Sequence, residues 1–475
     1  MNWRILISPY TITSAFCIAL LLLTVSMNGA LWAYGFGALL LSLMFVLDRR
    51  NEYPALVWAV CFNWIAVVAS ILSADLLGIE LSDASIGELR VEAVGYNLLA
   101  LVVYSAGLGW AVRFGKGLDW LAQNRNSAIN EHPVTLQTGV IAYFATLIFA
   151  ELIGYIVLNI PQLQQPLIAL FLLKYVFIYL VASTVFAAGR GYLWLAMMLT
   201  VEVVTGLTGF FGTFKEGFFI VLIAFIAAGR LPTLRMWTFG VASAVLVFVL
   251  SLLWTSVKPE YRRWVSGFSG EQIIVRSFDE RVAWMADNLL ESDFDYWQSL
   301  QRMVDRIDCT AVFAQYLAKR EQDEIDLPSR FAGGLEHVLM PRFLFPGKRS
   351  LDDSAVTTAM TGRRIDSNTS ISIGYLAEAH YDFGPWWMFV PIFLIGSGVG
   401  WAGRYFMTRD APYLVRQSFA TTVLFGFFQF GTNFDKALGT LLVGFGVLAL
   451  FLRFAYPHIA FWLSGQSYQR IELAE

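Results

Sequence analysis

Residues 235–263 read RMWTFGVASAVLVFVLSLLWTSVKPEYRR, an apolar run that ends abruptly in a group of charges. No charged residue lies between Met236 and Val257. As a helix this run is long enough to cross the hydrocarbon core of a bilayer, which is about 30 Å thick. Lys258 and the residues after it belong in water. The boundary predicts an integral membrane protein with a substantial water-facing segment after this span.

Composition places the whole chain in the same class. Its 475 residues are 57% hydrophobic and 15% charged, whereas a soluble chain carries about 25% charged residues. Residues 257–383 hold 15 Lys and Arg and 20 Asp and Glu, which is more charge than a connector between spans needs. The three cysteines show neither the spacing of a disulfide framework nor that of a zinc site.

Apolar runs predict an all-α polytopic protein with about twelve transmembrane helices. We place them near residues 10–28, 30–47, 54–76, 95–113, 136–159, 166–188, 192–212, 217–229, 235–256, 385–403, 417–432 and 437–457. The first span is expected to be retained, because no small-residue cleavage site follows it. The chain thus divides into nine spans in residues 1–256, a large loop at 257–384, and three spans with a tail in 385–475.

Basic residues in the short connections predict the orientation. Alternate connections carry the arginines, and such connections face the cytoplasm because positively charged loops stay inside. These arginines are Arg49, Arg50, Arg113, Arg190, Arg230 and Arg404. Both termini are therefore expected in the cytoplasm, and residues 257–384 are expected outside, in the periplasm or its equivalent.

Two groups of basic residues in this loop are candidate anion ligands. Arg302 and Arg306 lie one turn apart in a helix predicted from Phe294 to Glu321, where two guanidinium groups either bind a diphosphate or are simply solvated on an amphipathic helix. The stretch LEHVLMPRFLFPGKRSLDDS (335–354) opens a basic region, since residues 342–364 hold five basic and two acidic residues, and its cations either bind an anionic headgroup or are solvated in a proline-rich loop. Its candidates, with one further arginine downstream, are Arg342, Lys348, Arg349 and Arg363.

Titratable residues lie just before the predicted tenth span, in the stretch TGRRIDSNTSISIGYLAEAHYDFGPWW (361–387). Glu378 and His380 lie just before the lipid boundary, where partial desolvation shifts a carboxylate or imidazole toward general-base chemistry. The alternative is that they are polar side chains that reach the membrane interface beside Tyr381 and Trp386. Both interpretations stay open from the residues alone.

These two stretches together resemble Wzy-type bacterial polysaccharide polymerases, the family of O-antigen and exopolysaccharide repeat-unit polymerases. The resemblance rests on PRFLFPGK (341–348) and GYLAEAHYDFG (374–384). They are similar to a Pro-Arg…Pro-x-Lys element and a Gly-x-x-x-Glu-x-x-Tyr-x-x-Phe-Gly-like element of that family. The second element is shorter here, since only Asp382 separates Tyr381 from Phe383.

The resemblance implies a fold like that of polyprenyl-donor membrane glycosyltransferases (GT-C-like) and a place in the bacterial inner membrane. The implied reaction transfers an oligosaccharide block from undecaprenyl diphosphate to another lipid-linked repeat unit at the periplasmic face. Glu378 matches the motif glutamate, and cationic side chains neutralise the leaving diphosphate without a metal or other cofactor. The implied partners are undecaprenyl-diphosphate-linked oligosaccharide, the bilayer, and chain-length regulator and flippase proteins, with no nucleic acid.

Three ionisable residues lie inside predicted spans, where charges are costly and point to function. Glu151 and Lys174 lie at similar depth in consecutive helices and are expected to pair, either in a functional site or to fix helix packing. Glu202 lies near mid-depth of the seventh span, and Lys215 in the turn after it is expected to join the diphosphate site from the membrane side.

Other functions remain open at this point. One is an O-antigen ligase-type transferase that uses a different acceptor, and another is a flippase or transporter for the same lipid, with no bond chemistry. The absence of a visible internal repeat argues against a transporter.

Overall fold

The computed structural model is all-helical, with no strand among the residues that it describes. Those residues are 23–114, 134–159, 169–210, 212–228, 234–269, 273–291, 295–323, 325–340, 345, 353–363, 371–426 and 429–464.

The helices up to the large loop lie where apolar runs predict them. They are α1 (Gly29–Val46), α2 (Pro54–Leu77), α3 (Gly87–Arg113), α4 (Leu136–Asn159), α5 (Leu173–Ala188), α6 (Tyr192–Leu207), α7 (Phe214–Ala227) and α8 (Leu234–Val265).

Shorter helices follow in the loop, and longer ones return after it. The loop helices are α9 (Phe278–Glu291), α10 (Tyr296–Ile307), α11 (Cys309–Gln322), α12 (Arg330–Leu339) and α13 (Asp353–Thr361). The last group is α14 (Tyr375–Trp387), α15 (Phe389–Met407), α16 (Tyr413–Phe425), α17 (Phe434–Leu450) and α18 (Tyr456–Leu463), with a π-helical turn before α18.

Five helical stretches are long and apolar enough to cross a membrane, so the chain is an α-helical membrane protein. They are Gly29–Arg49, Pro54–Leu77, Gly87–Arg113, Met236–Val265 and Phe434–Leu463. Shorter apolar helices occupy Leu136–Phe149, Leu173–Ala188 and Tyr192–Leu207. The predicted first span, 10–28, lies mostly outside the described residues. The total of twelve spans stays a prediction.

Helices α3 and α15 cross at very short range because both carry glycines at the contact. A Cβ added at Gly107 would overlap the carbonyl oxygen of Phe393, and one added at Gly396 would overlap that of Tyr104. Small residues let helix backbones approach each other in this way in membrane proteins. This crossing fixes α15, and with it the end of the preceding α14, against the first half of the chain.

Helix α8 is longer than its predicted span. Its 32 residues extend to Val265 and contain Pro259, which corresponds to about 48 Å of helix and exceeds the hydrocarbon core. Its last turns therefore project beyond the predicted span, 235–256. There Trp264 packs in stacked geometry on Trp284 of α9, with ring centroids 5.6 Å apart.

The continuous helix predicted from Phe294 to Glu321 is wrong, because Asp308 divides it into α10 and α11. One carboxylate oxygen of Asp308 accepts hydrogen bonds from the backbone N–H groups of Thr310 and Ala311, both at 2.9 Å. This is an N-cap, which starts a new helix. Burial raises the pKa of Asp308 to about 6, and Ser70 of α2 donates to its other oxygen.

Polar bonds then anchor α11 to the membrane helices. The hydroxyl of Thr310 donates to the carbonyl oxygen of Val67 in α2 at 3.0 Å and accepts from the amide of Asn97 in α3 at 3.0 Å. The buried side of α11 includes Phe313 and Tyr316. The loop helix α11 is therefore packed into the α2–α3 surface.

Candidate functional site

The GYLAEAHYDFG element begins with Gly374, which contacts the turn before α17. Gly374 has a φ of +88°, and a Cβ there would overlap the carbonyl oxygen of Phe430. Its N–H donates to the side-chain oxygen of Asn433 at 3.2 Å, and the next N–H, of Tyr375, donates to the carbonyl oxygen of Thr432 at 2.9 Å. Glycine is required here both for its conformation and for this close approach.

Glu378 joins three helices. It is fully buried. One carboxylate oxygen accepts from Nε of Arg330 in α12 at 3.0 Å, and the other accepts from the backbone N–H of Phe434 in α17 at 2.7 Å. Asp435 lies 3.6 Å from another nitrogen of Arg330. Burial raises the pKa of Glu378 to about 7, although both donors act in the opposite direction. These are the contacts of a structural acceptor.

His380 is buried among aromatic rings and holds an arginine. Its ring centroid lies 5.3 Å from that of Tyr96 and 5.5 Å from that of Phe313. Its Nδ1 lies 3.1 Å from the hydroxyl of Tyr316 and 3.0 Å from a guanidinium nitrogen of Arg320. Because arginine only donates, Nδ1 accepts and the imidazole is neutral. Burial, and then Arg320, lower the pKa of His380 to about 4.

The neighbouring motif residues hold the chain that leads into α12. Asp382 caps α12, since its carboxylate accepts from the N–H groups of Arg330 and Phe331 at 3.0 and 2.7 Å. The hydroxyl of Tyr381 accepts from the N–H of Leu327 at 3.0 Å. The polar side chains of this motif are therefore engaged in intramolecular contacts. The catalytic roles of Glu378 and His380 stay predictions.

Sequence reasoning missed Arg330 and Asp435 as partners of Glu378. The signal for Arg330 was weak: a basic residue follows Pro328 and Ser329, a typical helix start. Nothing in the local sequence links it to Glu378, because 48 residues separate the two.

Of the four basic residues predicted as anion ligands in 341–363, one lies in the described part of the chain. Arg342, Lys348 and Arg349 lie outside the described residues. Arg363 follows α13 with an exposed side chain, and its N–H donates to the hydroxyl of Thr361 at 3.3 Å.

Asp353, at the start of α13, is engaged within the protein. It pairs with Lys436 and accepts from the amide of Asn433 at 3.2 Å. No group of three or more metal-ligating side chains occurs in the part of the chain that the structure describes.

Four cations converge where α7, α8 and α10 meet. Lys215 lies in the first turn of α7, Lys258 and Arg262 lie one turn apart beyond the apolar part of α8, and Arg306 lies in the last turn of α10. We refer to these four residues as the cation cluster. The positive charge of Arg306 contributes to lowering the pKa of each of the other three residues. Burial, and then Arg306, lower the pKa of Lys215 to about 8.

Three members of the cation cluster differ from the paired cations elsewhere in the described part of the protein. Among the described residues, neither Lys215, Lys258 nor Arg306 forms an ion pair with an acidic side chain. Arg262 donates to the backbone carbonyl of Phe210 at 3.1 Å. Side chains of the cluster are accessible to solvent, partly for the lysines and Arg262 and largely for Arg306.

The structure thus brings together two of the residues predicted to bind diphosphate, Lys215 and Arg306. Arg302 lies one turn earlier on α10 and is exposed. Lys258 and Arg262 were missed. Their signal was the sequence KPEYRR directly after a span, which also marks any water-facing boundary.

A second polar group lies among the membrane helices. The ammonium group of Lys174 lies 2.8 Å from one carboxylate oxygen of Glu202, and the hydroxyl of Tyr143 donates to the other at 2.8 Å. Tyr175 donates to Glu216 beside this pair. The described partner of Lys174 is therefore Glu202. The predicted pair of Lys174 with Glu151 stays a prediction, because the side chain of Glu151 lies outside the described part.

Comparisons with known proteins add no assignment: no family model, no curated protein and no solved structure matches the chain. The function of the cation cluster is therefore inferred from its chemistry. Guanidinium and ammonium groups gathered at the ends of membrane helices suit a multivalent anion at the membrane surface, such as a phosphorylated lipid headgroup.

Proposed function

We propose that this chain polymerises undecaprenyl-diphosphate-linked oligosaccharide units by block glycosyl transfer at the periplasmic face of a bacterial inner membrane. The observation that carries the proposal is the cation cluster. A diphosphate carries several negative charges, and Lys215, Lys258 and Arg306, which form no ion pair with a carboxylate among the described residues, can bind such a group strongly. The lipid tail of the donor would lie beside α7 and α8.

The same cations would serve the chemistry as well as the binding. When the acceptor hydroxyl attacks the anomeric carbon, the bond from that carbon to the diphosphate oxygen breaks and negative charge develops on the leaving group. Lys215, Lys258 and Arg306 would stabilise that charge, which lowers the barrier without a metal. Arg302 and the predicted ligands Arg342, Lys348, Arg349 and Arg363 would extend the anion site.

The proton of the acceptor hydroxyl needs a base. A base works best when its pKa lies near the ambient pH, a condition that Glu378 meets with its pKa of about 7 and that His380, at about 4, does not. Burial and the two donors to Glu378 favour a structural role instead.

A second candidate, a transporter of the same lipid, is favoured by one observation. Lys174 and Glu202 form an ion pair between helices of the membrane-spanning region, and transporters use such intramembrane charges. A ligase-type transferase is the alternative within the same chemistry, since it would use the same donor site with another acceptor.

One reconstitution separates these functions. The purified chain in lipid vesicles is supplied with a lipid-linked repeat unit and a lipid A core, and the products are separated on a gel. A ladder of multiples supports the polymerase, whereas transfer of single units to a lipid A core, and only there, identifies a ligase. Movement of the lipid between leaflets with no new bond identifies a transporter. Both of the last two results would refute the polymerase.

The cation cluster is tested in the same assay by Arg306→Ala. Loss of a hydrogen bond to a charged group, about 1.5–3 kcal/mol, predicts turnover roughly 10- to 100-fold lower. The matched control is Arg263→Ala, which removes an exposed arginine from α8 and should leave turnover within about twofold of wild type. Equal activity of both variants would show that the cluster does not bind the donor.

A further inference from the structure

A polar hollow of about 480 Å³ lies at the far end of α11. It is lined by Arg320, Glu321, Gln322, Asp323, Ile325 and Tyr381. Its size is in the range of small-ligand sites, which have volumes of roughly 300–1,000 Å³. The lining mixes a guanidinium, two carboxylates and an amide, so it has no excess of positive charge. The hollow therefore does not suit a phosphate, in contrast to the cation cluster.

The donors and acceptors of this hollow suit a neutral polyhydroxyl ligand. Among the described residues, the side chains of Glu321 and Gln322 make no intramolecular hydrogen bond, so both are available to hydroxyl groups. Carboxylates accept from a hydroxyl, and an amide both donates and accepts. Asp323 is partly engaged, because it pairs with Lys319 on the preceding turn.

The other two polar residues of the hollow are held in place by the motif. Arg320 donates to Nδ1 of His380, which leaves further N–H donors of its guanidinium for a ligand. The hydroxyl of Tyr381 is engaged by the backbone of Ile325 and Leu327. What Tyr381 offers a ligand is its ring, whose apolar surface can pack against the C–H groups of a sugar.

Distance along α11 relates the hollow to the cation cluster. Arg306 lies just before α11, and Arg320 lies in its last turn. From Cys309 to Arg320 the helix rises about 17 Å. A single sugar on a diphosphate held at the cluster would not reach that far, whereas an oligosaccharide of several sugars would.

We propose that the hollow at the end of α11 binds the distal sugars of the lipid-linked oligosaccharide whose diphosphate lies at the cation cluster. The inference rests on the proposed function. It gives the chain a physical means of distinguishing a completed repeat unit from a lipid that carries only its first sugar.

Binding measurements in lipid nanodiscs test this. The first probe is the lipid-linked oligosaccharide that accumulates in cells lacking this chain, and the second is the same polyprenyl diphosphate carrying one sugar. Wild type should bind the first probe about tenfold or more tightly than the second, which corresponds to one or two hydrogen bonds. The double variant Glu321→Ala/Gln322→Ala should lose that difference and bind the one-sugar lipid as wild type does.

One control variant and three contrary results separate the hollow from the proposed function. Glu336→Ala removes an exposed carboxylate from α12 and should keep the full preference, and thermal unfolding confirms that all variants are folded. Equal affinity of wild type for both probes, in protein that still forms polymer, overturns the hollow and leaves the proposed function intact. Failure to bind either probe overturns both. A preference that survives in the double variant shows that other residues bind the glycan.

Discussion

Glu378→Gln separates a structural carboxylate from a catalytic one. Glu378 accepts from Arg330 with one oxygen and from the N–H of Phe434 with the other. Glutamine has one carbonyl oxygen, so its NH₂ group would face one of the two donors. A buried donor left without an acceptor costs about 1–3 kcal/mol. We therefore expect the free energy of unfolding of Glu378→Gln to be lower than that of wild type by about 1–3 kcal/mol.

The pH dependence provides a second signature. The pKa of Glu378 is raised from 4.5 to about 7 in the folded chain. As pH rises, the unfolded chain therefore loses this proton at a lower pH than the folded chain does. The stability that the bound proton contributes is fully present below pH 4.5 and is lost as pH rises through about 7. Glu378→Gln has no such proton, so its stability should lack this part of the pH slope. Reversible unfolding in mixed micelles at several pH values measures both effects.

Activity completes the test. If Glu378 is a structural acceptor, turnover per folded molecule of Glu378→Gln should stay within about tenfold of wild type, whereas loss of a general base costs roughly 10²–10⁴-fold. Glu336→Gln, the same change at an exposed position of α12, is the control. A Glu378→Gln protein as stable as wild type but a hundredfold less active would refute the structural interpretation and restore the base.

Other side chains give further expected outcomes. His380→Gln should lack the loss of stability that wild type shows as pH falls from 6.5 to about 4, a window set by its lowered pKa. That loss is about 3 kcal/mol at most, and equal pH slopes in thermal unfolding would contradict it. Cysteine at Asp326 should react with an impermeant maleimide in intact cells, and cysteine at Asp410 only after permeabilisation; the reverse pattern contradicts the predicted orientation. Lys174→Met should lower stability by about 3–5 kcal/mol by leaving Glu202 unpaired, and an unchanged melting temperature would show that the pair is not needed.

The positions of the membrane helices could be predicted from the sequence because they depend on local composition. The apolar run at 235–256 predicts a helix, and α8 occupies Leu234–Val265. The extra turns were not predictable from hydropathy, since they are polar and are stabilised by packing of Trp264 on Trp284. The break at Asp308 was missed for a related reason: the apolar pattern continues through it, and only the N-cap bonds to the next residues interrupt the helix.

Only part of the candidate site was predicted from the sequence, as single residues and not as an assembly. Lys215 and Arg306 each carried a local signal, whereas their proximity depends on how α8 packs against both α7 and α10. The same holds for Glu378, whose partner Arg330 lies on another helix and far away in sequence. Such pairings depend on tertiary structure, which spacing rules within a single helix cannot provide.

The partners of the basic residues distinguish structural cations from candidate ligand-binding ones. Arg330 lies between Glu378 and Asp435, and Lys174 is paired with Glu202, so their charges are balanced within the fold. The cation cluster is different, since Lys215, Lys258 and Arg306 repel one another and form no ion pair with an acidic side chain among the described residues. Like charges held together reduce stability. An arrangement of this kind is expected where an anion offsets the repulsion, and the lipid diphosphate of the proposed function would be such an anion.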